Sequence, residues 1–418
     1  MISIDDLREP QLDDAQRAAL EFGATLDVTF DVETLIDAAR RRTGLDDFGA
    51  TDFVPRLQAM IDAVEADDGL NQLGRLSIRQ RAVRLLSGRL LVEDLCRRHP
   101  EIDAIELEAP VIVIGLPRSG TTHLVNLIAA DTRLRSLPYW ESLEPVPLPA
   151  DGPGPYPVDP RIERCRLGYE AQIAMVPLLR AMHHQHPSAV EEEIELEDLD
   201  FASYTLEWLA RVPQWRDFYL GLDQRPHYAY LKKVLRVLTY LRGPRRWVLK
   251  SPQHLEQIGP LVDTFPDATF AVTHRDPVSV ITSAVTMLAY GDRMRRARIE
   301  PEELAAYWVD RVERLLRACV RDRDLLPAER SIDVLFHELM ADDVAMVARI
   351  YERASLPMTT AAGRALDEYM AANPRGKFGR IAYDLRRDFG LDPAAVRARF
   401  GFYFDRFPVQ VENAGNDT

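Results

Sequence analysis

The stretch VIVIGLPRSGTTHL, residues 111–124, most strongly limits the folds that are open to this chain of 418 residues. It begins with a short apolar run of β-branched residues, which is typical of a buried strand. Gly115 and Gly120 then stand five residues apart, and two threonines follow. Glycines let the backbone turn its amides inward, and the first turn of a helix presents N–H groups without partners. The pattern therefore predicts a strand–loop–helix unit that binds a tetrahedral anion.

The loop lacks the lysine that nucleoside triphosphatases carry. In their pattern, GxxxxGKS or GxxxxGKT, lysine follows the second glycine. This chain has Thr121 at that place, and its nearest cation is Arg118 inside the loop. A tight turn without a ligand is the alternative interpretation of the loop alone. The candidate anion-binding residues are Pro117, Arg118, Ser119, Gly120, Thr121 and Thr122.

Three further segments have the composition of short buried strands, and helical stretches separate them. Strands that alternate with helices imply right-handed crossovers and a mainly parallel sheet. We therefore predict an α/β fold in which helices flank a mainly parallel central sheet. The three segments are RWVLKS at 246–251, TFAVTH at 269–274 and IDVLFHEL at 332–339.

Residues 31–100 carry apolar residues at helical spacing and no pattern that indicates chemistry. Gly44 and Gly69 mark the ends of the first two helices, and a capping box of Ser77 and Gln80 marks the start of the third. The predicted helices span 31–44, 54–69 and 77–100.

The change of pattern near residue 105 divides the chain in two. We predict an N-terminal helical extension at 1–105 that packs on an α/β domain at 106–418. Within this domain, residues 144–160 hold seven prolines and are predicted to lack regular structure. The last residues, 412–418, are predicted to be frayed.

The composition narrows the function classes. A formal net charge of −14 argues against a general nucleic-acid-binding protein. The three cysteines are scattered, which disfavours a disulfide framework or a zinc site and favours a reducing compartment. The N-terminus has no signal-like apolar core, and no run of about 18 apolar residues occurs. We therefore expect a cytoplasmic protein without a membrane span.

A second anion site is predicted after the strand at 269–274. Arg275 stands at the end of that strand, Asp276 is a candidate helix cap, and Pro277 suits the first helical position. Ser283 follows about two helical turns later and shares a face with the cap. The alternatives are an ion pair of Arg275 with Asp276 or a neighbour, and simple helix packing of Ser283. Because ligands of parallel sheets gather beyond the carboxyl ends of the strands, two anion sites there indicate a ligand with phosphate at both ends.

The motifs GLPRSGTTHL and HRDPVSVITS together resemble the sulfotransferase superfamily, whose donor is 3′-phosphoadenosine 5′-phosphosulfate. Further stretches, among them LPYWESLEPVP, RWVLKSPQHL and YDLRRDFGL, are similar to a bacterial branch of it, in the same order over about residues 30–410. The resemblance implies a three-layer fold of the P-loop type and sulfuryl transfer to a hydroxyl or amine of a small-molecule or lipid-like acceptor. It implies that the first loop holds the 5′-phosphosulfate and that Arg275 and Ser283 hold the 3′-phosphate, without a metal ion.

Sulfuryl transfer needs in-line positioning, a cation at the leaving phosphate and a base. The family has a lysine at the place of Lys250, which we expect to stabilise the leaving group. Met182, His183 and Glu192 match a Met-His pair and a later Glu of the bacterial branch. The resemblance therefore makes His183 and Glu192 candidate bases.

Other candidate bases remain open. His184 and His186 lie beside His183, and His254 falls near a predicted helix N-terminus, where its pKa tends to fall. A metal site of the clustered histidines is disfavoured because their spacing matches no zinc pattern. The run EEEIELEDLD, residues 191–200, has seven carboxylates in ten residues. It is predicted to be mostly a solvated helix face, with one carboxylate as a candidate to face the donor.

The segment NPRGKFGRIAYDL, residues 373–385, is expected to close over the 3′-phosphate, with Lys377 and Arg380 as its cations. The bacterial branch usually has a histidine two residues before the tyrosine, whereas this chain has Ile381 there. Whatever this histidine does in the bacterial branch is therefore either absent from this chain or done by another residue.

Two other functions stay open from the sequence alone. One is a P-loop kinase of a small molecule, against which Thr121 counts. The other is a nucleotide-binding interaction protein without chemistry, which Ile381 and the undecided base keep open. The sequence does not identify the acceptor. It also leaves the oligomeric state open, and a homodimer is one possibility. Core packing or an acceptor cleft would each explain the aromatic residues Tyr139, Trp140, Phe201, Tyr204 and Trp208.

Overall fold

A parallel sheet lies at the centre of the computed structural model, which describes residues 1–412. Its five strands are β1 (Val111–Gly115), β2 (Leu134–Arg135), β3 (Arg246–Ser251), β4 (Thr269–His274) and β5 (Ser331–Leu335). They stand in the order β2–β3–β1–β4–β5, and each neighbouring pair is parallel. The predicted mainly parallel sheet is confirmed. The two-residue strand β2 was not predicted, because so short a segment has no recognisable pattern.

The α-helices of the described residues fall into three groups along the chain. Four precede the sheet: α1 (Asp14–Ala24), α2 (Val32–Thr43), α3 (Val54–Glu65) and α4 (Gln72–Arg98). Between β1 and β3 lie α5 (Thr121–Ala129), α6 (Tyr139–Leu143), α7 (Pro160–Met175), α8 (Leu179–Met182), α9 (Ile194–Glu197), α10 (Pro213–Leu220) and α11 (Arg225–Arg242). After β3 follow α12 (Ile258–Thr264), α13 (Pro277–Asp292), α14 (Pro301–Asp322), α15 (Phe336–Ala341), α16 (Asp343–Arg353), α17 (Thr360–Ala372), α18 (Leu385–Phe389), α19 (Pro393–Ala398) and α20 (Gly401–Arg406). Short 3-10 helices span Pro100–Ala104, Pro149–Asp151, Asp198–Asp200, Thr205–Trp208, Pro252–Glu256, Arg323–Leu325 and Ala328–Arg330.

Alternate residues of β1 face opposite helical layers, as the period of a strand requires. Ile112 and Ile114 belong to a core that they share with the N-terminal helices and with α11, α13 and α14. Val111 and Val113 belong to a second core with α5, α16 and α17. Helices therefore cover both faces of the sheet, which confirms the predicted three-layer α/β fold. The N-terminal helices pack against one of these layers.

The strand predicted at 332–339 is too long. β5 ends at Leu335, and the chain continues as helix α15 from Phe336. Both segments are apolar enough to be buried, and an apolar run of this length does not distinguish a strand from the start of a buried helix.

The three helices predicted before the sheet are present, but the N-terminal cap predicted for the third of them is wrong. α2 begins after Asp31 and ends at Gly44 in the left-handed conformation, as predicted. α4 starts earlier than predicted, because the Asn71 side chain accepts the Gly74 N–H at 2.9 Å. Ser77 lies inside the helix, and its hydroxyl donates to the Gly74 carbonyl at 2.8 Å. α3 ends at Glu65, before the predicted stop.

Segment 144–160 contains one short 3-10 helix. Apart from Pro160, which begins α7, its other residues lie in no helix or strand. Among residues 1–412, no helix combines the length and the apolar character that crossing a membrane requires. Of the segment predicted to be frayed, 412–418, only Glu412 lies within the described residues. The contacts of Glu412 are part of the candidate active site.

Gly115, the last residue of β1, lies opposite Thr273 of β4. A Cβ on Gly115 would overlap the Thr273 hydroxyl oxygen. We expect Gly115→Ala to lower the free energy of unfolding by about 1–3 kcal/mol through overpacking, as measured by urea denaturation. The control is Gly363→Ala in α17, where an added Cβ meets no atom within 4 Å and should stabilise by about 0.4–1 kcal/mol. A Gly115→Ala variant as stable as the wild type would contradict this account of the strand pairing.

Candidate active site

The loop after β1 has the conformation of an anion-binding nest. Gly120 has φ +90°, and Arg118 has φ +69°, which is uncommon for a residue with a side chain. Helix α5 begins directly after the loop, at Thr121. The first N–H groups of a helix have no partner within it and form the positive end of its dipole. The loop therefore presents backbone donors of the kind that bind a tetrahedral anion.

Ser119 braces this loop from within. Its hydroxyl donates to the Leu116 carbonyl at 2.6 Å and lies 2.7 Å from the Thr273 hydroxyl on β4. Its amide also donates to the Leu116 carbonyl, at 3.2 Å. Both donors of Ser119 are thus used inside the protein, so this predicted binding residue holds the loop against the neighbouring strand.

A cavity of about 460 Å³, which we call the main cleft, opens beside the loop. It brings most of the predicted loop residues together with Arg275, His183 and Glu192. Of the predicted acceptor aromatics, three line it, whereas Trp140 lies in another cavity and Phe201 is buried in the core. The lining includes Pro117, Arg118, Gly120, Thr121, Thr122, Tyr139, His183, Glu191, Glu192, Tyr204, Trp208, Arg275 and Phe336.

Arg118 joins the two predicted anion sites. Its Nε donates to the Ser283 hydroxyl on α13 at 2.9 Å, and its backbone carbonyl accepts from Arg275 Nη1 at 2.9 Å. Asp276 caps α13 and Pro277 is its first residue, as predicted. The two sites therefore lie side by side at the carboxyl edge of the sheet.

Arg275 contacts the C-terminal segment of the chain. Its guanidinium donates to both carboxylate oxygens of Glu412, at 2.8 and 2.7 Å, and lies 3.9 Å from the centre of the Phe336 ring. The Glu412 amide donates to Asp276 at 2.9 Å, and Arg397 donates to the same carboxylate at 2.9 Å. Arg275 therefore forms an ion pair, as in the alternative interpretation, but the partner in this pair is Glu412, which is 137 residues away in the sequence.

Lys250 lies near the carboxyl end of β3, opposite Val113 of β1. Its ammonium forms an ion pair with Glu192, and its side chain is only 2% exposed. Its backbone N–H donates to Glu193 Oε2 at 2.6 Å. The residues predicted as leaving-group stabiliser and as one candidate base are thus in direct contact.

His254 lies in the short 3-10 helix Pro252–Glu256, near a helix N-terminus as predicted. It is fully buried, with its Nε2 2.7 Å from Glu193 and its Nδ1 2.7 Å from the Tyr228 hydroxyl. Both ring nitrogens are therefore engaged inside the protein, and His254 does not line the main cleft. This geometry does not fit a base that contacts an acceptor. Since Glu193 also accepts from Lys250, His254 and Glu193 fasten the acidic segment to β3.

The three neighbouring histidines are held in the neutral form. Burial, followed by the charges of Arg118 and Lys250, lowers the pKa of His183 to about 3. Burial and the nearby His186 lower the pKa of His184 to about 4, and burial also lowers the pKa of His186. All three are neutral at pH 7, and His183 alone of them lines the main cleft.

A second cavity of about 600 Å³, the side cleft, shares five lining residues with the main cleft, namely Arg118, Thr122, His183, Gln185 and Glu191. Lys377 lines the side cleft, whereas Arg275 lines the main cleft, so the tail cation and Arg275 do not face the same cavity. Arg380 is exposed, and its carbonyl accepts from the Ile2 N–H at 2.7 Å. The side-cleft lining includes Arg118, Thr122, Arg180, His183, His184, His186, Lys250, Lys377 and Phe378.

The acidic run 191–200 is not the solvated face that its composition predicted. Glu193 and Glu197 are fully buried, and arginines of α3 and α4 neutralise several of the other carboxylates. These arginines lie more than a hundred residues from their partners, so no local pattern in the sequence indicates the pairs. The ion pairs are Arg81–Glu195 (3.0 Å), Arg84–Glu195 (3.1 Å), Arg81–Asp198, Arg56–Asp200 (2.6 Å) and Arg89–Asp200 (2.7 Å).

Two glutamates that the sequence did not single out belong to the site. Glu193 holds the backbone of Lys250, as described above. Glu191 lines the main cleft, and burial, together with the charge of Glu192, raises its pKa to about 8. Its carboxyl accepts a hydrogen bond from the Gln185 amide. Within residues 1–412, no group of three or more His, Cys, Asp or Glu side chains is placed to hold a metal ion.

A family model described as the sulfotransferase family matches residues 110–360, which include the loop, Lys250, Arg275 and Ser283. The chain belongs to the sulfotransferase family. The resemblance seen in the motifs is thereby confirmed. The match ends before Lys377 and Arg380, and so leaves the tail segment outside the shared region.

Similar proteins from mycobacteria extend the comparison. Omega-hydroxy-beta-dihydromenaquinone-9 sulfotransferase Stf3 of Mycobacterium bovis is 25% identical over 266 residues, which are 61% of this chain and 64% of that relative. The crystal structure of sulfotransferase STF9 from Mycobacterium avium superposes with a TM-score of 0.80 at 25% identity, over 93% of this chain and 99% of that one. Sulfotransferase STF1 from Mycobacterium tuberculosis H37Rv gives a TM-score of 0.75 at 27% identity, over 90% and 100%.

The raised pKa of Glu191 predicts a pH-dependent stability. The unfolded chain ionises this carboxyl near its ordinary value, whereas the folded protein keeps its proton up to about pH 8. Between these values the folded state binds more protons, so its stability falls as the pH rises. We expect the melting temperature of Glu191→Gln to fall less than that of the wild type between about pH 5 and pH 8.5.

Glu21→Gln, a change of an exposed glutamate in α1, is the matched control and should keep the wild-type slope. Scanning calorimetry of the three proteins across this pH range gives the comparison. Parallel curves for Glu191→Gln and the wild type would show that Glu191 ionises normally in the folded protein.

Proposed function

We propose that this protein transfers a sulfuryl group from 3′-phosphoadenosine 5′-phosphosulfate to a hydroxyl of a lipid-like acceptor. The observation that carries the proposal is the link through Arg118, which sets two anion-binding groups side by side with Lys250 on an adjacent strand. Such a pair suits a ligand with an anionic group at each end. Membership of the sulfotransferase family supports the same donor.

We assign the 5′-phosphosulfate to the amides of the loop and the first turn of α5, together with Arg118. The 3′-phosphate is assigned to Arg275 and Ser283. A nucleoside triphosphate carries up to four negative charges, which its enzymes manage with lysine and magnesium. The reacting end of a phosphosulfate carries fewer charges, so backbone donors and one or two cations suffice. This explains why Thr121 can stand where those enzymes have lysine.

In the proposed reaction the acceptor oxygen forms a bond to sulfur while the bond between sulfur and the 5′-phosphate oxygen breaks. The products are a sulfate ester and adenosine 3′,5′-bisphosphate. Lys250 stabilises the negative charge that develops on the leaving phosphate. The acceptor proton passes to a carboxylate, which we assign to Glu192, because it lines the main cleft and contacts Lys250. His183 is a poor base, since its pKa of about 3 is far from neutral pH.

The lipid-like acceptor is supported by the apolar part of the main cleft. Tyr204, Trp208 and Met287 line it beyond the charged groups, and apolar walls with few polar groups are typical of small-molecule sites. The name of the mycobacterial relative Stf3 gives omega-hydroxy-beta-dihydromenaquinone-9 as its acceptor. We therefore assign a hydroxylated apolar molecule as the acceptor class.

Mass spectrometry of sulfated products tests the proposal directly. Purified protein, the donor and a panel of primary alcohols are incubated with EDTA, and a parallel reaction contains ATP and magnesium in place of the donor. The proposal predicts sulfate esters in the first reaction and no phosphate esters in the second. Phosphorylated products would identify a kinase, and adenosine 3′,5′-bisphosphate binding without any product would identify a binding protein without chemistry.

Glu192→Gln keeps the size of the side chain but removes the proposed base. We expect kcat to fall by about 10²- to 10⁴-fold, with the affinity for adenosine 3′,5′-bisphosphate within about threefold of the wild type. The control is Glu170→Gln, a change of an exposed glutamate in α7, which should leave both quantities unchanged. If the Glu192→Gln variant had the wild-type kcat, a group other than Glu192 would be the base.

Arg275 and Glu412 give a pair of opposite expectations. If Arg275 holds the 3′-phosphate, Arg275→Ala weakens binding of adenosine 3′,5′-bisphosphate by about 1.5–3 kcal/mol. Glu412 occupies the same guanidinium, so donor and Glu412 compete for it, and Glu412→Gln should tighten binding about threefold or more. Isothermal calorimetry measures both. Equal weakening by the two substitutions would mean that Glu412 supports the site rather than competes for it.

A further inference from the structure

A third cavity, the helical groove, has a volume of about 670 Å³ and lies outside the donor sites. Helices α2 and α4 of the N-terminal layer form one wall, and α6 and α7 form the other. Ala38, Val83, Trp140, Leu143, Gly168 and Tyr169 are among its lining residues. No sequence pattern indicates a chemical role for the N-terminal helices, and in this groove they meet the rest of the site.

The helical groove adjoins the main cleft. Arg81, Tyr139 and Gln172 line both cavities. Burial raises the pKa of Tyr139, and the negative charges of Glu191 and Glu195, which line the main cleft, raise it further. The Tyr139 side chain therefore stands at the passage between the two cavities.

Six arginines line the groove, and within residues 1–412 all of them except Arg79 form ion pairs with carboxylates. Arg42 and Arg164 bind Glu144 at 2.7 and 2.6 Å, and Arg161 binds Asp159 at 2.7 Å. These pairs offset most of the positive charge of the groove, and Arg79 is the one lining arginine for which the described residues provide no ion pair. The Arg161 guanidinium also lies 4.5 Å from the centre of the Trp140 ring, so the groove is walled by aromatic rings, aliphatic side chains and arginine stems.

We infer that the helical groove binds the uncharged apolar chain of the acceptor, whose hydroxyl lies in the main cleft. This inference rests on the proposed function and narrows its acceptor to alcohols with a long alkyl or isoprenoid chain. A short alcohol fills only the main cleft, whereas a long one passes Tyr139 and buries its distal part in the groove. Each methylene buried there raises kcat/KM by about fourfold at most.

Gly168 allows the groove to be filled without disturbing the catalytic groups. It lines the groove, and an added Cβ meets no atom within 4 Å. Gly168→Phe is compared with Gly363→Phe, an equally open helical position in α17 outside the cavities. Thermal melts establish that both variants are folded, and kcat/KM is measured with the donor and primary alcohols from butanol to hexadecanol.

We expect kcat/KM of the wild type and of Gly363→Phe to rise with chain length beyond the size of the main cleft. In Gly168→Phe this rise should be lost, with about a tenfold or larger decrease for hexadecanol and no change for butanol. Turnover without a dependence on chain length, or an equal loss for both alcohols, would overturn the inference while leaving the proposed function intact. If no alcohol is sulfated, the proposed function fails, and calorimetric binding of hexadecanol to the same proteins decides the inference: weaker binding to Gly168→Phe alone supports it, and equal binding refutes it.

Discussion

Parallel pairing of β1 with its two neighbours fixes where each charged group of the site lies. Because parallel strands end at the same edge of a sheet, the register that sets Ile114 beside Ser251 and Gly115 beside Thr273 also brings three chain segments together. The predicted anion-binding loop follows β1, Lys250 stands near the end of β3, and Arg275 follows β4. The absence of a side chain at Gly115 lets β1 and β4 approach closely enough for this arrangement.

A network of buried ion pairs sets the acidic segment against that edge. Arginines of α3 and α4 bind the carboxylates of residues 195–200, and Glu193 accepts from the backbone of Lys250 and contacts His254. Buried pairs of this kind add little to stability compared with apolar packing, but removing one partner leaves a costly unpaired charge. Their role here is to fix position. The N-terminal helices thereby hold Glu192 against the Lys250 ammonium, and they also form one wall of the helical groove.

Features that depend on neighbouring residues could be predicted from the sequence, and features that depend on distant partners could not. The strand and loop at 111–124 and the cap formed by Asp276 and Pro277 are set by local conformation, and the structure has them as predicted. The acidic run at 191–200 has the composition of a solvated face, but partners more than a hundred residues away neutralise it. The pairing of Glu412 with Arg275 spans 137 residues, and no local pattern indicates it.

The central claim is that one ligand is held at both of its ends by two adjacent anion sites without a metal ion. Calorimetric titration of the wild-type protein in EDTA with adenosine 3′,5′-bisphosphate, adenosine 5′-monophosphate and adenosine 3′-monophosphate tests it most directly. The account predicts that the bisphosphate binds at least about tenfold more tightly than either monophosphate, since each end adds charge-assisted hydrogen bonds. Equal affinity for the bisphosphate and one of the monophosphates would show that only one of the two sites holds the ligand, and would contradict the account.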